Sequence, residues 1–265
     1  MARRVRIEPI ADAPAAIATF TSSRALLVGD YHAGIEAGLR YERGVELPNN
    51  ADERRRRLLG LIEQTGVDQL VVLGDLSHRI GSIEGPERDE LLALYSAVVE
   101  DQDVSITVTP GNHDGGLEEL WGQQAGVEIL PPTGGVIGDD HAEIGVFHGH
   151  TWPDPALLSA ESICMAHEHP QVKLTDSVGG YRTEAAWLRG RLACEVMAAG
   201  LECEPSALEW ADPRLVVLPA FNQRSGGTWV NVPEEGFLAP FLPEALTNGE
   251  LYLLDGTRLG SYETV

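Results

Sequence analysis

Five times between residues 24 and 170, a short apolar run stops at a cluster of His, Asp or Asn. Residues 24–28 lead into Gly29-Asp30-Tyr31-His32, and 69–73 into Gly74-Asp75. Residues 105–109 lead into Pro110-Gly111-Asn112-His113-Asp114. Residues 144–147 lead into His148-Gly149-His150, and 163–166 into His167-Glu168-His169-Pro170. Apolar runs this short, bounded by Gly and Pro, read as buried strands. Between the first three lie amphipathic helical patterns near 52–64 and 87–100, and in the first Leu58, Leu59, Leu61 and Ile62 share one face. Strand–helix alternation predicts a layered α/β core, in which chemistry collects at the carboxyl ends of strands.

The later chain carries weaker signals. Residues 179–213 read as a short strand or turn, a helix near 193–199, then a loop. Residues 215–219 and 251–254 read as further strands, and tight turns such as Asp255-Gly256 suit antiparallel pairing into a mixed sheet. Nothing marks a linker. The expectation is one domain over 1–265 with an embellished C-terminal part over about 179–265.

Composition narrows the setting. Hydrophobic residues are 43% and charged residues 23%, which excludes wholesale disorder. No apolar stretch approaches the ~20 residues of a membrane-spanning helix, so no membrane partner is expected. Residues 1–7 carry three arginines with no apolar run behind them, so a secretory leader is not expected and a cytoplasmic location is. Asp plus Glu is 41 against 19 for Lys plus Arg, a net charge of −22, and Lys173 is the sole lysine. Such a surface suits a salt-rich cytoplasm, where carboxylate repulsion is screened. A halophilic, haloarchaeal source is one reading, and arginine usage in a GC-rich genome is the other. The same surface disfavours nonspecific attraction to polyphosphates in dilute buffer. Cys164, Cys194 and Cys203 form neither a disulfide framework nor a metal pair, and read as reduced thiols.

Imidazole and carboxylate are ligands for first-row divalent metals. Two cations ~3.5–4 Å apart need a shared ligand, which a carboxylate provides with its two oxygens. Asp75, at a central strand end, is suited to that bridge. A lone His-x-His or Asp-x-His says little, but their joint occurrence at successive strand ends is specific. Seven of eight histidines lie in or beside these clusters; His141 is the exception.

The series Gly29-Asp30-x-His32, Gly74-Asp75, Gly111-Asn112-His113-Asp114, His148-Gly149-His150 and Ala166-His167-x-His169 resembles the calcineurin-like metallophosphoesterase superfamily. Ala166 departs from the glycine usual there. Further strings look like its ICC-like branch, which includes archaeal phosphoesterases and a ligase-associated DNA-repair nuclease. They are His32-Ala33-Gly34-Ile35-Glu36, Gly44, Leu47-Pro48, Leu218-Pro219-Ala220-Phe221-Asn222, Gly226-Gly227 and Val230-Asn231. The stretch 194–213 looks added. The resemblance implies a four-layer α-β-β-α sandwich of two mixed sheets, binding two divalent ions. Manganese is favoured, and iron, zinc or nickel also accept the donor set. Asp30, His32 and His169 would bind the first ion, Asp75 would bridge, and Asn112, His148 and His167 would bind the second. His113 would face the substrate phosphate, with Asp114 hydrogen-bonded to it and orienting it. His150 is either a contact to a ligand or substrate, or a solvent-facing histidine. His78 is either a substrate contact or a histidine of a polar loop. Glu168, between two ligands, is expected to point away.

The implied chemistry is hydrolysis of phosphate esters. The leading reading is a phosphodiesterase or nuclease on nucleic acid or nucleotides. A small-molecule phosphomonoesterase and a catalytically silent binding scaffold are the alternatives. Two basic motifs stand apart. Arg54, Arg55, Arg56 and Arg57 read first as a solvated helix face and otherwise as a guide for a phosphate backbone. Arg224-Ser225-Gly226-Gly227 reads first as a hairpin turn and otherwise as a phosphate-contacting loop.

Overall fold

The computed structural model describes residues 5–139 and 142–265. His141 and the first four residues of the leader reading lie outside the described residues. The first half of the chain builds a six-stranded sheet in chain order: β1 (Arg6–Pro9), β2 (Ala16–Thr19), β3 (Arg24–Val28), β4 (Gln69–Val72), β5 (Ser105–Val108) and β6 (Val127–Ile129). β1 to β3 pair antiparallel and β3 to β6 parallel. The parallel crossovers carry α1 (Ile35–Arg43), α2 (Ala51–Thr65), α3 (Gly85–Tyr95) and α4 (Leu117–Trp121). Leu26, Val28, Leu70 and Val72 pack towards these helices, whereas Ala25, Leu27 and Val71 pack towards a second sheet. Both faces are buried, which is why these strands read as continuous apolar runs rather than alternating ones.

The second sheet holds β7 (Gly135–Asp139), β8 (Ala142–Val146), β9 (Ser162–Met165), β10 (Gln171–Thr175), β11 (Tyr181–Leu192), β12 (Arg214–Val217), β13 (Leu246–Leu253) and β14 (Arg258–Ser261). Its order is β14-β13-β11-β12-β9-β8-β7, with β10 paired on β11. β8, β9 and β12 run parallel, and the other pairs run antiparallel. β13 turns into β14 through Asp255-Gly256, as expected. Leu27, Val71, Val146, Cys164 and Val216 seal the two sheets together. On the far face Met165, Leu188 and Leu215 pack on Met197 of α5 (Cys194–Gly200) and on Phe241. Three apolar interfaces therefore separate four layers, matching the expected sandwich, although the outermost layer is α5 plus irregular chain. Among the described residues no helix is long and apolar enough to cross a membrane.

Among the elements that the sequence reading did not give, two are informative. α1 was not foreseen because its inward face carries Glu36 and Gly38 beside Ile35 instead of a leucine stripe. Residues 179–213 hold the twelve-residue β11, not a short strand or turn. Its arginines and Gly190 interrupt the apolar pattern, and it pairs β10, β12 and β13 along its length.

The arginine run is not uniformly a solvated face. Arg54 is buried and its guanidinium donates to Glu90 at 2.8 and 2.9 Å and to Glu36 at 3.1 Å. Glu90 also accepts from the Gly34 N–H at 2.8 Å, so the cluster ties α2 and α3 to the loop after His32. Burial opposes ionisation of Glu36, yet Arg54 holds its carboxyl below the usual range. A carboxyl depressed on folding stabilises the fold above its unfolded pKa, and that contribution is lost as pH falls through the folded value. Arg54→Met strands two buried carboxylates and is expected to cost about 3–5 kcal/mol at pH 7. Burial, the largest influence on Glu36, is then still opposed by Arg224 but no longer by Arg54, so the deficit should shrink at pH 5 as Glu36 takes up a proton. Urea midpoints at both pH values check this, and a deficit below about 1 kcal/mol at pH 7 would contradict it.

Candidate metal centre

The polar clusters meet at the carboxyl ends of β3, β4, β5, β8 and β9, where the parallel strands of both sheets stop. Asp30, His32, Asp75, His167 and His169 all have left-handed backbone, with φ of 55°, 50°, 48°, 68° and 42°. Each such residue costs about 1 kcal/mol or more, and this kind of strain concentrates at functional sites. Two glycines permit the convergence in different ways. Gly74 itself takes φ 78°, and a Cβ there would meet the His148 ring. Gly111 needs no special φ, but a Cβ would lie 2.1 Å from Asp75 Oδ1. The Ala166 methyl sits opposite Gly29, where a second Cβ would clash, so this departure from the family glycine is accommodated.

The side chains form three overlapping groups: His32, His78 and His113 make one, sharing His32 with a second, and the second and third share Asp75. Asp30, His32, Asp75 and His169 present ligand atoms within 4.8 Å of one another, and so do Asp75, His148 and His167. His169 Nε2 is 3.1 Å from Asp30 Oδ1. Asp75 Oδ2 lies 3.9 Å from His32 Nε2, and Oδ1 lies 3.5 Å from His148 Nε2. The two oxygens of Asp75 thus face opposite halves of the site. His148 Nδ1 bonds the Leu73 carbonyl at 2.8 Å and His169 Nδ1 the Gly226 carbonyl at 2.7 Å. A carbonyl partner puts the proton on Nδ1 and aims the Nε2 lone pair inward, the orientation of a metal-ligating imidazole.

The residues fit a pair of divalent cations. Asp30 Oδ2 and His32 Nε2 are buried with no hydrogen-bond partner in the protein, a costly arrangement unless something else satisfies them. The charge balance agrees. Burial pushes His32 down to about 3 and His167 down to about 4, so both are neutral at pH 7. Burial acts the same way on His148, but Asp75 outweighs it and raises His148 to about 9. Asp30 likewise outweighs burial at His169 and raises it. Burial would lift Asp75, and His148 pulls it well below the carboxylate range instead. Buried carboxylates here draw protons onto imidazoles, and divalent cations would supply the same compensation.

The remaining residues surround this core. His113 Nδ1 bonds the His78 carbonyl, and its Nε2 lies 3.8 Å from Asp75 Oδ2. The expected bond from Asp114 to His113 does not form. Asp114 is buried and accepts from Gly111 N at 2.8 Å, Ser77 N at 2.9 Å and Ser77 Oγ at 3.0 Å, pinning two ligand loops together. His78 stacks on His113, with rings 14° from parallel, and its Nδ1 is 3.4 Å from His32 Nδ1. It therefore belongs to the cluster rather than to a detached polar loop. His150 sits 5.4 Å from the His148 ring, with Nδ1 buried and unbonded. Asn112 is exposed on the turn beside His113. Glu168 accepts from Leu238 N and Ala239 N, anchoring the late chain. The carbonyls of Leu73, His78 and Gly226 leave no trace in sequence. Asn222, part of the Leu218–Asn222 string, has a role the sequence did not assign: it donates to the Tyr31 carbonyl at 2.9 Å and holds the loop between Asp30 and His32.

A family model described as calcineurin-like phosphoesterase matches residues 23–195, which contain every candidate ligand. The chain belongs to the calcineurin-like phosphoesterase family. Members are metal-dependent phosphoester hydrolases with a dinuclear site, and the His and Asp side chains here are positioned to bind metal. Among solved structures, the nuclease MPE of Pseudomonas putida is 17% identical, with TM-score 0.50, over 94% of this chain and 98% of that one. The phosphoesterase Yfce of E. coli is 19% identical, with TM-score 0.35, over 58% of this chain and 74% of that one. The likeness to the nuclease is one of fold. No curated protein matches this family member.

Proposed function

We propose that the chain is a two-metal phosphodiesterase acting on nucleic acid or nucleotides. The observation that carries this reading is Asp75, whose carboxylate joins the Asp30, His32 and His169 group to the His148 and His167 group. In this reading Asp30, His32 and His169 hold one ion, and Asn112, His148 and His167 hold the other, with Asp75 between them. Manganese is the proposed native ion, and iron, zinc or nickel also accept this nitrogen and oxygen donor set. Ions held there would supply Lewis acidity, lowering the pKa of water and offsetting charge on the phosphoryl oxygens.

The protein's own groups do the rest. His113, bonded through Nδ1 to the His78 carbonyl, keeps Nε2 for a proton. Its side chain is 24% exposed, open to an incoming phosphate. A proton at Nε2 stabilises the phosphoryl oxygens or passes to the departing oxygen. Asp114 supports this indirectly, by fixing the Gly111 and Ser77 loops. His78 and His150 line the two ends of the cluster and are proposed as contacts to ligands or substrate. The extended likeness to a nuclease of the same fold supports a diester substrate. The strings around Glu36 and Phe221-Asn222 support the ICC-like branch, and the −22 charge supports a salt-rich setting; the same reading takes the chain as one domain working in the cytoplasm.

Turnover of bis-(p-nitrophenyl) phosphate, p-nitrophenyl phosphate and single-stranded DNA, with Mn²⁺ in high salt, tests this. Hydrolysis of the diester and of DNA in preference to the monoester is expected. Preference for the monoester would replace the reading with a phosphomonoesterase. No turnover of any of the three would favour a binding scaffold.

A further inference from the structure

The arginine run of α2 and the loop at Arg224 come together in space. A cavity of about 360 Å³ beside the metal cluster is lined by Arg54, Arg56, Arg57 and Arg224, with Phe221 and Asn222 in its wall. In a chain with 19 basic residues and a net charge of −22, four guanidinium groups in one cavity are a concentrated exception. Their charges are not equally committed. Arg54 is taken up by Glu36 and Glu90. Arg224 shares Glu36 at 3.2 Å and donates to the Pro48 carbonyl. Glu53, on the same wall, is exposed. Arg56 and Arg57 have no carboxylate partner among the described residues.

Arg57 is the informative residue. It is half-buried, with its guanidinium 4.9 Å over the Phe221 ring and one N–H directed at the Phe221 carbonyl. Burial lowers its pKa, and no neighbouring carboxylate counters that effect. It lines the arginine cavity and also an adjoining cavity of about 240 Å³ that reaches His169, a candidate metal ligand. The wall between them is tied to the metal strand, since Phe221 N donates to the Gly29 carbonyl at 2.8 Å and Asn222 N to the Asp30 carbonyl at 3.0 Å. An unpaired guanidinium held rigidly next to a phosphoryl-transfer site is built to take an anion, and its planar fork matches phosphate oxygens.

We propose that Arg57, supported by Arg56 and Arg224, forms a second phosphate subsite that grips the phosphate flanking the one being hydrolysed. The preferred substrate is then a phosphodiester that carries a neighbouring phosphate, as every internal linkage of a nucleic-acid strand does. This rests on the phosphodiesterase reading and adds the determinant of its specificity.

Two measurements on the full-length, Mn²⁺-loaded protein test it. The first is calorimetric binding of thymidine 3′,5′-bisphosphate against thymidine 5′-monophosphate. Wild type is expected to favour the bisphosphate about tenfold, the scale of one charged hydrogen-bonded contact. Arg57→Gln should bind the two about equally, Arg57→Lys should keep part of the preference, and the exposed Arg56→Gln should lower it about twofold. The second compares kcat/KM for thymidine p-nitrophenyl phosphates, 5′ or 3′ esters, with and without a phosphate on the other hydroxyl. Arg57→Gln should cost about tenfold only where the second phosphate is present. Equal binding of the two nucleotides by wild type, or equal losses for both in Arg57→Gln, would overturn the proposal. If the esters are not hydrolysed but the bisphosphate preference and its dependence on Arg57 persist, the subsite stands and the phosphodiesterase reading falls.

Discussion

Asp75→Ala is expected to leave the purified chain without its pair of ions and to lower turnover of bis-(p-nitrophenyl) phosphate by about 10³-fold or more. Asp75 is the residue common to the Asp30, His32 and His169 group and the His148 and His167 group. Removing it deletes an oxygen from each half and also the carboxylate that draws His148 up to about 9. His148 then loses its main electrostatic partner, and burial pushes it towards the neutral form. Metal content by plasma emission, before and after dialysis against Mn²⁺, reads the effect directly. A variant that keeps two ions and wild-type turnover would remove Asp75 from the bridging role.

His113→Ala is expected to behave differently, keeping both ions while turnover falls by about 10²- to 10⁴-fold, the range of a positioned proton donor. The distinction comes from geometry. His113 Nδ1 is committed to the His78 carbonyl and its Nε2 stands 3.8 Å from Asp75, outside the two groups that contain Asp75. Metal analysis alongside kcat separates the outcomes. Loss of an ion together with the rate would make His113 a ligand. Full metal and full rate would show that no proton needs to pass through it.

Much of the fold was legible because its central strands are buried on both faces. β3, β4, β9 and β12 each present an unbroken apolar run that ends at Gly, Pro or His, and β5 and β8 present shorter runs interrupted by threonine or glycine. Elements lacking that signature were missed for physical reasons. β1 is largely exposed, α1 buries Glu36 and Gly38, and β11 mixes arginines with its core residues. The gathering of Asp30, His32, Asp75, His148, His167 and His169 was legible because metal-competent side chains recur at the strand ends. Its supports were less so. Backbone carbonyls orient His113, His148 and His169, and no residue type announces a carbonyl. Arg54 looked solvated because its partners Glu36 and Glu90 lie 18 and 36 residues away. Its neighbour Arg57 gained meaning only when the fold brought Phe221 against it from 164 residues away.

The most direct test is anomalous diffraction from crystals soaked in Mn²⁺. Two peaks are expected, one among Asp30, His32, Asp75 and His169, and one among Asp75, His148 and His167. Peaks elsewhere, a single peak distant from Asp75, or none at saturating Mn²⁺ would contradict a shared two-metal centre.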